Sequence, residues 1–148
     1  MTTLTAAQAR EKSKAEYNAF LAACPSQKLL STISDKWVTL VLVALHNGGA
    51  YQPDDGGEGE PRRMRYSEIA RVLAGVSPKM LTQTLRRLER DGLIGRTVTP
   101  TVPVTVSYEL TTLGLSLCEL VRGVKSWAQE NMDTVTHHRA EYDARISA

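Results

Sequence analysis

Ser77-Pro-Lys-Met-Leu-Thr-Gln-Thr-Leu-Arg-Arg-Leu-Glu-Arg-Asp-Gly-Leu-Ile-Gly-Arg96 reads as a capped amphipathic helix that runs straight into a β-strand. Ser77 is a good N-cap, and Pro78 suits the first helical position, where no amide hydrogen is needed. Leu81, Leu85 and Leu88 fall at i, i+4 and i+7 and give one apolar face. Lys79, Gln83, Arg86, Arg87 and Arg90 lie mostly on the other. Gly92 ends the helix as the residue after its cap. A helix exposing Lys, Gln and Arg carries the side chains that reach phosphates and base edges in a major groove. The same residues also fit an ordinary amphipathic helix with a solvated basic face, so the flanks must decide.

Downstream, Leu93–Thr99 and Val104–Leu110 are rich in β-branched residues, and Pro100-Thr-Val-Pro103 between them favours a turn. This hairpin reads as a wing, on which Arg96, Thr99, Thr101 and Thr105 face a phosphate backbone or minor groove. Upstream, Arg65-Tyr-Ser-Glu-Ile-Ala-Arg-Val-Leu-Ala-Gly75 reads as a short helix. Ser67 is its expected cap, and Ile69, Val72 and Leu73 its inward face. Short helix, turn, basic helix and hairpin in that order describe a winged helix-turn-helix. Charge agrees: Arg62 to Arg96 holds nine basic and three acidic residues, a net +6, whereas the whole chain carries only +2. Cation focused on one module is the electrostatic footprint of phosphate binding.

The remaining segments fill out an α+β, mostly helical chain. Helices are expected from about Ala6 to Ala22, from Pro25 to Ile33, and from Asp35 to His46 with Ser34 as N-cap. In the third, Trp37, Leu40, Val41 and Ala44 form the expected buried stripe, widened by Val38, Leu42 and Leu45. Asn47–Pro61 contains five glycines, two prolines and four acids and reads as a flexible acidic loop. Thr111 caps a long helix with an apolar stripe at Leu113, Leu117, Leu120, Val121, Val124 and Trp127. That helix is expected to continue, with or without a break, into Met132–Arg145. Residues 1–22 and 112–148 are thus read as dimerisation helices flanking a DNA-binding core, residues 23–111. Their apolar stripes need a partner surface, and a second copy supplies it most economically.

At 148 residues and 42% hydrophobic composition the chain has enough material for one domain's core. A polar N-terminus and the lack of a ~20-residue apolar run lead to the expectation of a cytoplasmic protein with no membrane association. Two cysteines without a framework spacing suit a reducing compartment. The three histidines do not sit at metal-ligand spacings with them, and no catalytic motif or phosphate loop is present. No enzyme, metal or cofactor is therefore expected.

Cys24-Pro25, Ser34-Asp-Lys-Trp37, Arg65-Tyr-Ser-Glu-Ile69, Val76 through Ile94, Pro100-Thr-Val-Pro103, Tyr108-Glu-Leu-Thr-Thr-Leu-Gly114 and Trp127 follow one another in an order that resembles the HxlR family of winged-helix regulators. The resemblance spans Cys24 to Trp127. It implies a homodimeric repressor or activator on double-stranded DNA with an inverted-repeat operator. Several members of that family sense quinones, aldehydes or hypochlorite through a cysteine near the N-terminus, where Cys24 stands. Some pair that thiol with a second cysteine at the end of the last helix; here Met132 lies near that place. The chain departs from the family pattern at Val104, at Thr99 and in the enlarged Asn47–Pro61 loop.

The expected DNA-contacting residues are Arg65, Ser77, Lys79, Met80, Gln83, Arg86, Arg87 and Arg96. Cys24 is the candidate redox sensor: a thiol at a helix start gains thiolate stability from the dipole and unpaired amides, with Lys28 one turn on. Its other reading is an inert structural thiol. In that case the regulator would respond to a small-molecule ligand at the dimer interface, in a pocket lined by Trp37, Tyr66, Tyr108 and Trp127. Cys118, among leucines, is read as packing.

Overall fold

A computed structural model describes residues 3–49 and 59–148. The elements run α1 (Ala6–Ala23), α2 (Pro25–Ile33), α3 (Lys36–His46), β1 (Met64–Arg65), α4 (Tyr66–Val72), α5 (Pro78–Arg90), β2 (Ile94–Thr99), β3 (Thr105–Leu110) and α6 (Thr112–Ser147). This is a winged helix-turn-helix, with α4 and α5 as the paired helices and β2–β3 as the wing. The expectation of a flexible loop over Asn47–Pro61 falls largely on residues 50–58, outside the described residues.

The core forms where the apolar faces of α3 and α5 meet. Val38, Val41, Leu42 and Leu45 of α3 are fully buried, as are Leu81 and Leu88 of α5, with Leu85 nearly so. Met64, Ile69, Leu73, Ile94 and Tyr108 close the cluster from β1, α4 and the sheet. The α3 stripe is therefore rotated from the expected one, since Trp37 and Leu40 are only partly buried and Val38, Leu42 and Leu45 form its centre. The helix start differs as well. Asp35, not Ser34, is the N-cap, its carboxylate accepting from the amides of Trp37 at 2.9 Å and Val38 at 3.4 Å.

Other expectations change at the short helix. The short helix starts at Tyr66, with Arg65 rather than Ser67 as N-cap, because β1 leads directly into it. Glu68 accepts from the Arg65 amide at 3.3 Å and from the Arg62 guanidinium at 2.9 Å; the latter bond is the main reason its carboxyl lies below the usual range. Val72 is 40% exposed rather than inward. The sheet has three strands in the order β1-β3-β2, with Met64 opposite Tyr108. The last helix runs unbroken from Thr112 to Ser147 and takes in Met132–Arg145. Among the described residues no single helix is long and apolar enough to cross a membrane.

The α5–β2 turn is held against the start of α6. Gly92 adopts φ +74°, a backbone conformation glycine takes without a Cβ penalty. The Thr111 hydroxyl donates to the Gly92 carbonyl at 2.6 Å and accepts from the Gly114 amide at 3.1 Å, and the Thr111 amide donates to Leu93 at 3.1 Å. Gly114 packs so closely that a Cβ there would collide with the Leu93 carbonyl oxygen, whereas a Cβ at Gly123 meets open space. Gly114→Ala should therefore cost about 1–3 kcal/mol through overpacking. Gly123→Ala should be neutral or stabilise by about 0.5–1 kcal/mol. Urea unfolding of both variants checks the contrast, and equal midpoints would show that the α6 start tolerates a side chain.

Candidate nucleic-acid interface

The buried stripe of α5 determines what its opposite face presents. With Leu81, Leu85 and Leu88 in the core, Lys79, Gln83, Arg86 and Arg90 form an exposed row at 3–4-residue spacing. Met80 is also exposed near the helix start. Ser77 has a structural duty as well as a candidate one: its Oγ accepts from the Met80 amide at 3.1 Å, leaving the hydroxyl proton free to donate.

Two side chains hold α5 in place. The Tyr66 hydroxyl, on α4, donates to the Pro78 carbonyl at 3.2 Å and lies 3.4 Å from Thr82 Oγ1. From the other side, Arg87 reaches back to Asp35, Nη1 to Oδ2 at 3.5 Å. Arg87 was expected among the DNA-contacting residues. Its guanidinium pairs at the α3 N-terminus and remains partly exposed. It ties α5 to the same carboxylate that caps α3.

Strand alternation distributes the remaining candidates between two faces of the wing. Arg96 pairs with Tyr108 and Val98 with Val106 on the face toward α5, while Thr97–Ser107 and Thr99–Thr105 pair on the other. Arg86 and Arg96 consequently share a cleft of about 480 Å³ between α5 and the wing, walled by Tyr66, Val106 and Tyr108. Arg65 lies with Thr99, Thr101 and Thr105 around a second concavity on the opposite face, so it does not join the Arg86–Arg96 group. The four aromatics expected to line one ligand pocket are likewise divided: Tyr66 and Tyr108 share the α5–wing cleft, and Trp37 and Trp127 do not line it.

The two cysteines occupy contrasting environments. Cys24 ends α1 and begins α2 and is partly exposed. Its thiol is held below the usual range chiefly by the backbone amides of Gln27 and then Ser26. Lys28, expected to assist, is not among the causes. Cys118 is buried against Leu42, its Sγ 3.7 Å from that carbonyl oxygen, and desolvation pushes its pKa up to about 11. One position reasoning from sequence missed is Tyr66 as an anchor of α5. Its signal was a tyrosine one residue before the expected cap, and its target lies 12 residues away.

A family model, HxlR-like helix-turn-helix, matches residues 58–136. The chain is 36% identical to the HTH-type transcriptional regulator YtfH of Escherichia coli (strain K12) over 126 residues, covering 85% of this chain and 89% of that one. The structure of a transcriptional regulator ytfH from Salmonella typhimurium superposes with a TM-score of 0.63 at 35% identity, over 82% of this chain and 96% of that one. The redox regulator HypR in its reduced form aligns with a TM-score of 0.63 at 29% identity, over 77% of this chain and 99% of that one.

Proposed function

The chain belongs to the HxlR-like helix-turn-helix family of transcriptional regulators, and from that premise we propose that it is a homodimeric, sequence-specific DNA reader whose affinity is set by the state of Cys24. The observation that carries the reading is the exposed Lys79–Gln83–Arg86–Arg90 row, backed by a fully packed leucine stripe and flanked by Arg96. A rigid helix with such a face fits the major groove, where Gln and Arg make bidentate contacts to adenine and guanine. Arg96 and the wing threonines then meet the phosphate backbone. Arg65 serves the backbone from the far side of the wing, while Met80 and Ser77 approach it at the helix start. The protein acts on the chromosome in the cytoplasm.

Dimerisation rests on the surfaces the core leaves uncovered. No residue of α1 is buried, and Tyr17 and Phe20 are exposed on it. On α6, Leu113, Leu120, Val124 and Trp127 are exposed as well. Residues 1–22 and 112–148 joining two copies would cover these faces and set two recognition helices about 34–36 Å apart, the spacing of an inverted repeat.

Redox control rests on the contrast between the thiols and on the likeness to HypR, a redox regulator. Cys24 sits between α1 and α2, so an adduct there would alter how a dimerising helix meets the core. Mixed disulfides with small thiols, or a Cys24 link between copies, are the expected products. Under the second reading, a ligand gates the dimer interface and Cys24 is structural; the dispersal of the four aromatics favours it less.

Gln83→Ala or Arg86→Ala should each weaken operator binding by about 1–3 kcal/mol and relax specificity. Arg96→Ala should weaken all sequences alike and lower the salt slope by about 1. Normal operator affinity in a folded Gln83→Ala, Arg86→Ala double variant would remove α5 from the recognition role. Sedimentation should find a chain lacking residues 1–22 dissociated at concentrations where the intact chain is dimeric, and equal association would exclude α1 from the interface. As pH rises, Cys24 should alkylate first, because its thiolate forms below the ordinary thiol range, while Cys118 stays protonated up to about 11. Reactivity of Cys24 should fall away as pH drops through its lowered pKa. Cys24→Ser should bind DNA like the reduced protein and ignore diamide, and a Cys24→Ser protein that still responds would leave the ligand-gated reading standing.

A further inference from the structure

The cleft between α5 and the wing brings two arginines of the DNA-reading face together with residues that this face does not use. Arg86 and Arg96 both line it, and among the described residues neither guanidinium makes an ion pair or hydrogen bond with protein. Tyr108 lines it too and is only 8% exposed, and its hydroxyl makes no hydrogen bond among the described residues. The residues lining one concavity thus carry two guanidinium groups and a phenol whose protons are uncommitted among the described residues. Tyr66, Val106 and Tyr108 supply the apolar part of the lining, beside Thr82. Glu89 also borders the cleft, so its three charged residues sum to +1. The volume of about 480 Å³ falls within the roughly 300–1,000 Å³ of small-molecule sites.

We propose that this cleft binds a small planar aromatic carboxylate as an effector that competes with DNA. A carboxylate is the planar acceptor that guanidinium groups grip best, and a net +1 lining matches a monoanion better than a phosphate dianion. Two tyrosine rings and a valine favour an unsaturated ring over a hydrated sugar or an aliphatic acid. Glu89 accepts a hydrogen bond from a ring hydroxyl and so selects for one. Occupation of the cleft withdraws Arg86 from the base-reading row and Arg96 from the backbone and places a negative charge where phosphate must approach. The competition rests on the DNA-reading role of α5, whereas the binding itself does not. By linkage, ligand and DNA weaken each other by the same factor.

The test starts without DNA, by calorimetry on the full chain with benzoate as probe. Benzamide, cyclohexanecarboxylate and inorganic phosphate serve as controls. One benzoate per chain is expected, with benzamide and cyclohexanecarboxylate at least ~10-fold weaker. Arg86→Gln and Arg96→Gln should each weaken benzoate at least ~10-fold, while Arg90→Gln, whose residue lies outside the cleft, should leave it unchanged. NMR shifts induced by benzoate in the unmodified chain should centre on Thr82, Glu89 and Val106, which keeps the test decisive if an arginine variant fails to fold. No binding of benzoate, retention in both arginine variants, or shifts centred elsewhere would each overturn the proposal. Phosphate binding as tight as benzoate would overturn it too, marking a plain anion site that serves the DNA backbone. A second arm uses a duplex selected by the protein from a random pool: benzoate should raise the DNA Kd, and duplex the benzoate Kd, by equal factors. Benzoate bound in the cleft without any effect on DNA would overturn the competition. A protein that binds benzoate but no duplex would instead overturn the DNA-reading role.

Discussion

The dry contact between the leucine stripe of α5 and the apolar face of α3 is the constraint on which the other features depend. Leu81, Leu85 and Leu88 lose essentially all contact with solvent against Val38, Val41, Leu42 and Leu45. Each such side chain contributes about 1.5–3 kcal/mol when fully buried. Once that stripe is committed, the rotation of α5 about its axis is settled, and the basic row has only one direction to face. A rotation of one residue in either direction would draw an arginine into the core, where an unpaired polar group is costly. The functional face is thus a by-product of burial. Tyr66 and the Asp35–Arg87 pair refine its position from opposite sides.

Asp35 shows how one residue serves two levels of the structure. Its carboxylate satisfies amides at the start of α3 and also receives Arg87 from α5. Capping is worth about 1 kcal/mol, and the partly exposed ion pair adds at most a similar amount. The energy is modest, but the geometry links the entry of the central helix to the recognition helix.

Much of this was legible in the chain because α5 announces itself by several independent signals: a serine cap, a proline at the first turn, a leucine periodicity and a terminating glycine. The same holds for α2, whose limits follow from Pro25. What was hidden has physical reasons. Ser34 and Asp35 are adjacent residues of equal capping quality, and only the Arg87 partner, 52 positions on, distinguishes them. A two-residue strand such as β1 has no periodicity to read. The rotation of the α3 stripe was ambiguous because nearly every residue of that helix is apolar. Trp37, a large ring, drew the expected stripe toward itself, yet it lies partly exposed with Lys36 Nζ 4.9 Å from its ring centre. The meeting of Arg86, Arg96 and Tyr108 around one cleft depends on strand register and on the approach of α5 to the wing, neither of which a single sequence encodes locally.

The central claim is that α5 enters the major groove while the wing meets the flanking backbone. Tethered-reagent cleavage tests it directly. A single thiol placed by Gln83→Cys in a Cys24→Ser background, with buried Cys118 left in place, would carry a hydroxyl-radical source. A matching protein would carry it at Thr101→Cys on the wing tip. The account predicts cuts centred in the major groove of each half-site for the first, and cuts displaced to the neighbouring minor groove or backbone for the second. Cleavage by the wing reagent inside the major groove, with the α5 reagent cutting outside it or not at all, would contradict the account.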